Sequence, residues 1–263
     1  MFKYSFPLLI LGIAGILSQT IDKIIFPIVY SGEADAMDQL GIYGACFKVA
    51  VIMVMFTQAF RYAYEPFIFS KTHSSDNRQA YADAMKYFII FGLLIFLGVM
   101  FYMDILKYFL APEYWEGLFV IPIVMMGELF FGIYFNLSLW YKLTDKTYWG
   151  AIFSITGCVV IIALNIIFIP KFGYMACAWA SFTGYLLIML VSYFIGQKEY
   201  PIKYDLKTIG LYFGLAIALY AISLWVHFEQ QAIRLGFNTV LLAVYVLILL
   251  KRDLSLSLVR RGL

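Results

Sequence analysis

Six ionisable side chains stand where the surrounding sequence is almost wholly apolar: Asp22, Lys23, Lys48, Arg61, Glu65 and Glu128. Three cations and three carboxylates can neutralise one another. They can also line a wet cavity inside a helix bundle. The stretch LSQTIDKIIFPIV sets Asp22 beside Lys23, and Gln19, three residues earlier, falls on the same helical face. Further on, Gln58, Arg61 and Glu65 recur at i, i+3 and i+7, again one face of a helix. Arg61 and Glu65 are four apart, so they read equally as a satisfied ion pair near the membrane edge. Pro66 follows at once and predicts a bend, because the carbonyl of Tyr62 loses its usual donor.

The solvent around these groups decides their chemistry. The chain has 263 residues, 63% hydrophobic, 19% aromatic and 13% charged, with a mean hydropathy of +0.86. A soluble domain averages roughly 45–50% apolar and about 25% charged residues. The composition is that of an integral membrane protein. The formal charge of +3 does not gather into a cationic stripe, which argues against a nucleic-acid partner. Cys46, Cys158 and Cys177 lie in apolar runs without a CxxC and read as buried small hydrophobes. His73 and His227 stand alone near segment ends, so no metal site or metal cofactor is expected.

About 20 apolar residues form a helix long enough to cross a bilayer core. Eight stretches qualify: 5–30, 40–69, 86–110, 118–141, 148–169, 174–196, 207–226 and 232–250. Continuous runs such as VVIIALNIIFI lack the alternation of a membrane barrel, so the expected fold class is an all-α, polytopic bundle of about eight transmembrane helices. The opening MFKYSFPLLILGIAGIL has no small-residue cleavage site and reads as a retained helix. The polar stretch KTHSSDNRQAYADAM is expected to be a loop, with room for an amphipathic turn. Tyr114, Trp115, Trp140, Tyr141, Tyr148 and Trp149 near segment ends fit an interfacial aromatic belt. Asn136, Ser138 and Asn165 read as packing groups between helices.

Of nineteen Lys and Arg, only Lys107, Lys171 and Arg234 fall opposite the terminal side, apart from the three inside spans. That bias puts both termini in the cytoplasm. Asp22 then lies eight residues before Tyr30, about 12 Å from the outer end of the first helix. Lys48 sits at a similar depth in the second and Glu128 in the fourth. Asp22–Lys48 is the expected pair in this layer, with Lys23 and Glu128 less fully compensated. An ionised group facing lipid costs at least roughly 2.5–3.5 kcal/mol, so all six must face a bundle interior or a wet cavity, pair with one another, or snorkel.

Read together, these features resemble the second half of the bacterial polysaccharide (O-antigen type) flippases. These belong to the multidrug/oligosaccharidyl-lipid/polysaccharide exporter superfamily. The resemblance lies in the FPLLI opening, Asp22-Lys23, LGIYGACFKVA and the Arg61…Glu65-Pro66 close, matching at Pro7, Asp22, Lys23, Gly41, Tyr43, Lys48 and Pro66. NIIFIPKFGYMACAWAS adds Asn165, Pro170, Gly173 and Ala178. Such proteins have about fourteen helices, two six-helix lobes and a final pair. The resemblance therefore implies a six-helix lobe over 1–197, two further helices with a basic tail over 198–263, and a partner lobe in the same longer chain or another subunit. It implies flipping of an undecaprenyl-pyrophosphate-linked oligosaccharide across the bacterial cytoplasmic membrane, with lipids as its other partners and with no enzymatic activity. Lys23, Lys48 and Arg61 are the cations for pyrophosphate. Asp22, Glu65 and Glu128 balance charge or couple transport to a proton or sodium gradient. Gln19 and Gln58 line the cavity, and no cofactor is implied. Two other readings compete. A multidrug antiporter of the same superfamily favours acidic, aromatic cavities over cationic ones. A membrane glycosyltransferase or polymerase needs large outer loops with catalytic groups, and the loops here are short.

Overall fold

In the computed structural model, residues 2–30, 35–70, 78–226, 228 and 230–254 are described. The chain is all-helical there. The helices are α1 (Phe2–Val29), α2 (Ala36–Ser70), α3 (Arg78–Phe101), α4 (Met103–Leu106), α5 (Val120–Leu137), α6 (Leu139–Leu143), α7 (Tyr148–Phe172), α8 (Tyr174–Glu199), α9 (Leu206–Trp225) and α10 (Gln231–Leu249). A π-helical turn, Leu250–Leu254, extends α10. Eight of the segments are long and apolar enough to cross a membrane. The end of the bundle where α1 starts is called proximal below, and the other end distal.

Burial ranks the helices. In the α5–α6 segment 72% of the most apolar stretch is buried, against 22% in α1, α9 and α10. α5 is thus the hub: it packs on α8 and α2, while α7 joins α1 to α8. Small residues let these helices meet closely, since a Cβ at Gly157 of α7 would come within 2.8 Å of Ile188 on α8. Gly173 alone separates α7 from α8, and it takes φ +56°, a conformation side-chain-bearing residues rarely adopt.

α9 and α10 lean mainly on α3. Directional bonds fix them there, because apolar contact alone gives little preference between protein and lipid. Tyr245 donates to the Ile90 carbonyl at 3.0 Å, and Asn238 Nδ2 to that of Phe101 at 3.0 Å. Asp253 accepts from Tyr212 at 2.7 Å and from Lys86 at 3.1 Å. The N-terminus of α9 is capped by Asp205, whose carboxylate accepts from the Thr208 amide at 3.1 Å. That bonding holds the Asp205 carboxyl below its ordinary value.

Two sequence expectations change. α3 runs from Arg78 to Phe101 rather than over 86–110. Tyr81, Ala82 and Met85 form a buried stripe in the stretch expected to be loop, while Asp104 and Lys107 ion-pair beyond its end. Residues 102–119 fold back as α4 and two 3-10 turns, with Trp115 Nε1 donating to the carbonyls of Lys107 and Leu110. α2 continues through Pro66 to Ser70 as one helix, in keeping with the span expected over 40–69. The other change is that Trp140 and Tyr141 are buried rather than interfacial, packed with Phe153 and Tyr185 where α6 meets α7 and α8. Residues 71–77, His73 among them, and His227 lie outside the described residues.

Candidate functional site

The polar groups of the spans gather at two depths. On α1 the buried positions Ala14, Ser18, Ile21, Asp22 and Phe26 follow the period of a helix, so Asp22 lies on the packed stripe. It is only 2% exposed. One oxygen accepts a 2.6 Å hydrogen bond from the Tyr43 hydroxyl on α2, and the other accepts from the Lys23 amide at 2.8 Å. Lys23 is half-buried, with Nζ 3.8 Å from the centre of the Phe47 ring. That contact shelters a cation in an apolar layer. Glu128, from α5, is 2% exposed and lies within electrostatic range of both Asp22 and Lys23. Its Oε2 has no hydrogen-bond partner among the described residues. Tyr185 of α8 is within range of both carboxylates and donates to the Ser18 carbonyl at 3.3 Å. Asn165 of α7 is fully buried, and neither side-chain polar atom finds a partner among the described residues.

Lys48 does not join this layer. It is exposed on α2, and no Asp22–Lys48 ion pair forms. The reason is helical phase. Five residues turn the chain by about 140° beyond a full turn, so once Tyr43 faces Asp22, Lys48 must face away. Depth alone suggested the pair, and direction decides against it. Gly41, Lys48, Met55 and Tyr62, spaced by sevens, are all exposed and form one open stripe along α2.

The second polar group lies towards the proximal end, between α2 and the α5–α6 break. Arg61 places its guanidinium carbon 4.6 Å from the centre of the Phe135 ring. It lines a narrow cavity with Lys142, Thr57, Tyr64, Asn136 and Ser138. Gly132 forms part of the wall, and any side chain there would press on Phe88 and Thr57. Gln19 and Gln58 are half-buried. The Glu65 side chain lies outside the described residues, and with it the expected Arg61–Glu65 pair.

The arrangement thus offers a sealed carboxylate–tyrosine–lysine layer, a cationic cavity below it, and a lysine on an open face. No protein-family model matches the chain, and no curated protein sequence matches it. The fold is similar to that of the lipid II flippase MurJ in its inward closed conformation, with a TM-score of 0.64 and 16% sequence identity. The similarity covers 89% of this chain and 52% of that one, so this chain spans about half its length. The likeness establishes a shared polytopic membrane fold.

Sequence reasoning missed three groups. Tyr43 appeared in the resemblance but not as the hydrogen-bond donor to Asp22. Its spacing of five from Lys48 was the available signal, since the two cannot share a face. Lys142 read as a loop cation because the span expected over 118–141 stopped just short of it, whereas the helical stretch runs on to Leu143. Asn136 read as packing, yet lines the Arg61 cavity.

Proposed function

We propose that the chain is one half of a flippase that moves an undecaprenyl-pyrophosphate-linked oligosaccharide from the inner to the outer leaflet of the bacterial cytoplasmic membrane, for polysaccharide or O-antigen export. The proximal end is cytoplasmic in this reading, and residues 1–197 form the lobe to which 198–263 add the final helix pair. The observation that carries it is Lys48, exposed well inside a membrane-crossing helix on one stripe with Met55 and Tyr62. A lysine there facing hydrocarbon costs roughly 2.5–3.5 kcal/mol or more, so the open stripe meets water or another lobe. The shared fold with a lipid II flippase supports the same reading.

The chemistry follows from the head group. A glycan cannot cross hydrocarbon without stripping water from many hydroxyls, so it needs a polar path that opens alternately to each side. Lys48 on the open stripe, Lys23 beside it and Arg61 below meet the pyrophosphate at successive depths. Gln19 and Gln58 contribute amide donors and acceptors. Asp22 and Glu128, with Glu65, balance the cations when the path is empty, or carry a coupling proton or sodium ion. The lipid tail stays in the bilayer.

Replacing Lys48 and Arg61 singly with Ala and with Gln, in cells that depend on this protein for surface polysaccharide, is expected to abolish surface glycan at unchanged membrane abundance. Normal export by all four variants would overturn the assignment.

A further inference from the structure

Lys23 and Phe47 meet where the sealed layer borders the open face. Tyr43 and Phe47, one turn apart on α2, grip the adjacent pair on α1. The hydroxyl of the first holds Asp22, and the ring of the second covers Lys23. Lys23 has little else. Its ammonium lies 3.8 Å from the ring centre and makes no hydrogen bond or ion pair among the described residues. Asp22 accepts instead from Tyr43 and from the Lys23 backbone amide. Asp22 and Glu128 therefore attract the ammonium without bonding to it, and its three N–H donors stay idle.

The cover stands beside open space. Phe47 is half-buried and directly precedes Lys48 of the exposed stripe. On α1, Ile16 and Thr20 share the face of Lys23 and are exposed as well. Long helical side chains lean over the preceding turn, which for Phe47 holds Tyr43 and Gly44. Tyr43, its ring centre 6.1 Å away and its hydroxyl bonded to Asp22, blocks the inward direction. Gly44 leaves the outward one free. It is half-buried, and a Cβ added there would meet nothing within 4 Å among the described residues.

We propose that Phe47 is a gate on Lys23: its ring swings over Gly44 when a phosphate head reaches Lys48, and Lys23 then joins Lys48 in binding that head. The exchange is favourable because charge-assisted hydrogen bonds to phosphate outweigh the hold of a ring face on a cation. Closed, the gate keeps an unpaired ammonium out of the open path. Opened, it supplies a second cation. Phe47 is thus a positioning residue, touching the lysine and not the ligand. That the phosphate belongs to a lipid-linked pyrophosphate rests on the flippase reading.

The test uses the full chain in membranes isolated from cells that make it. Sulfosuccinimidyl acetate, a charged amine reagent, is expected to acetylate Lys48 and to modify Lys23 about tenfold more slowly, read at each residue by mass spectrometry. Phe47→Ala is expected to bring Lys23 up to the rate of Lys48, and Phe47→Tyr, which keeps the ring, to leave it slow. A 4-fluorophenylalanine at position 47 reports the ring itself. Inorganic pyrophosphate is expected to shift its fluorine resonance, and to leave it unmoved in Gly44→Leu, where the receiving space is filled. Wild-type unfolding temperatures for Phe47→Ala and Gly44→Leu separate gating from a loosened fold. Lys23 modified as fast as Lys48 in wild type, or still protected in Phe47→Ala, would overturn the gate. So would a wild-type ring signal that pyrophosphate does not move. None of these results touches the flippase reading, which export by the Lys48 variants decides. A gate that opens to pyrophosphate alongside normal export by those variants supports the gate and tells against a lipid-linked ligand.

Discussion

The two polar regions of the lobe solve the same problem in opposite ways. The distal layer is sealed: Asp22 is enclosed, its oxygens taken up by the Tyr43 hydroxyl and the Lys23 amide, and Lys23 is sheltered on Phe47. The proximal region keeps space: Arg61 and Lys142 line a cavity whose wall includes an amide oxygen without a partner among the described residues. A charge held by protein donors fixes helices to one another, whereas charges beside a cavity border space. The distal layer thus joins α1, α2 and α5 into one body, and the proximal region leaves room between its elements.

The contrast predicts unequal costs. Tyr43→Phe removes a buried donor to a carboxylate and is expected to lower the unfolding free energy in detergent by about 2 kcal/mol. Arg61→Gln, beside the narrow cavity, is expected to cost about 1 kcal/mol or less, while the flippase reading has it abolish export. Equal destabilisation by the two would erase the distinction between a structural layer and a binding site.

A smaller effect sharpens the same point at the proximal surface. Asp205→Ala removes the cap of α9 and is expected to cost about 1 kcal/mol, with Asp205→Asn retaining most of it. Because the Asp205 carboxyl titrates lower when folded, this contribution is present above its unfolded value of about 3.9 and disappears as pH falls through the lowered folded one. Thermal unfolding of wild type and Asp205→Ala should therefore converge as the pH is taken down through that range. Curves that stay parallel would show that the carboxylate is not the cap.

Eight membrane helices were legible because length and apolarity define a span, and the other structure that satisfies a backbone in lipid, a closed barrel, needs an alternation these runs lack. The depths of Asp22 and Glu128 were legible too, being a matter of counting residues. Direction was not. Lys48 has the depth of Asp22, but the phase of α2 is set by which residues bury best, and Tyr43 with Cys46 and Ala50 outweighs a lysine. The start of α3 was hidden for the mirror-image reason: RQAYADAM looks polar in composition, while its Tyr81, Ala82 and Met85 make a packed stripe. Lys142 escaped because the helical stretch runs to Leu143, past the expected end at 141, and so brings the lysine to the cavity wall.

The central claim is that the open stripe of α2 faces water or a second lobe, not lipid. Single cysteines at Lys48 and Met55 on that stripe, and at Ile217 and Val240 on the exposed faces of α9 and α10, test it most directly in intact cells. The native Cys46, Cys158 and Cys177 are buried and give a low background. A charged, membrane-impermeant maleimide is expected to label positions 48 and 55 and to spare 217 and 240. Protection of all four positions, or equal labelling of all four, would contradict a polar path along α2.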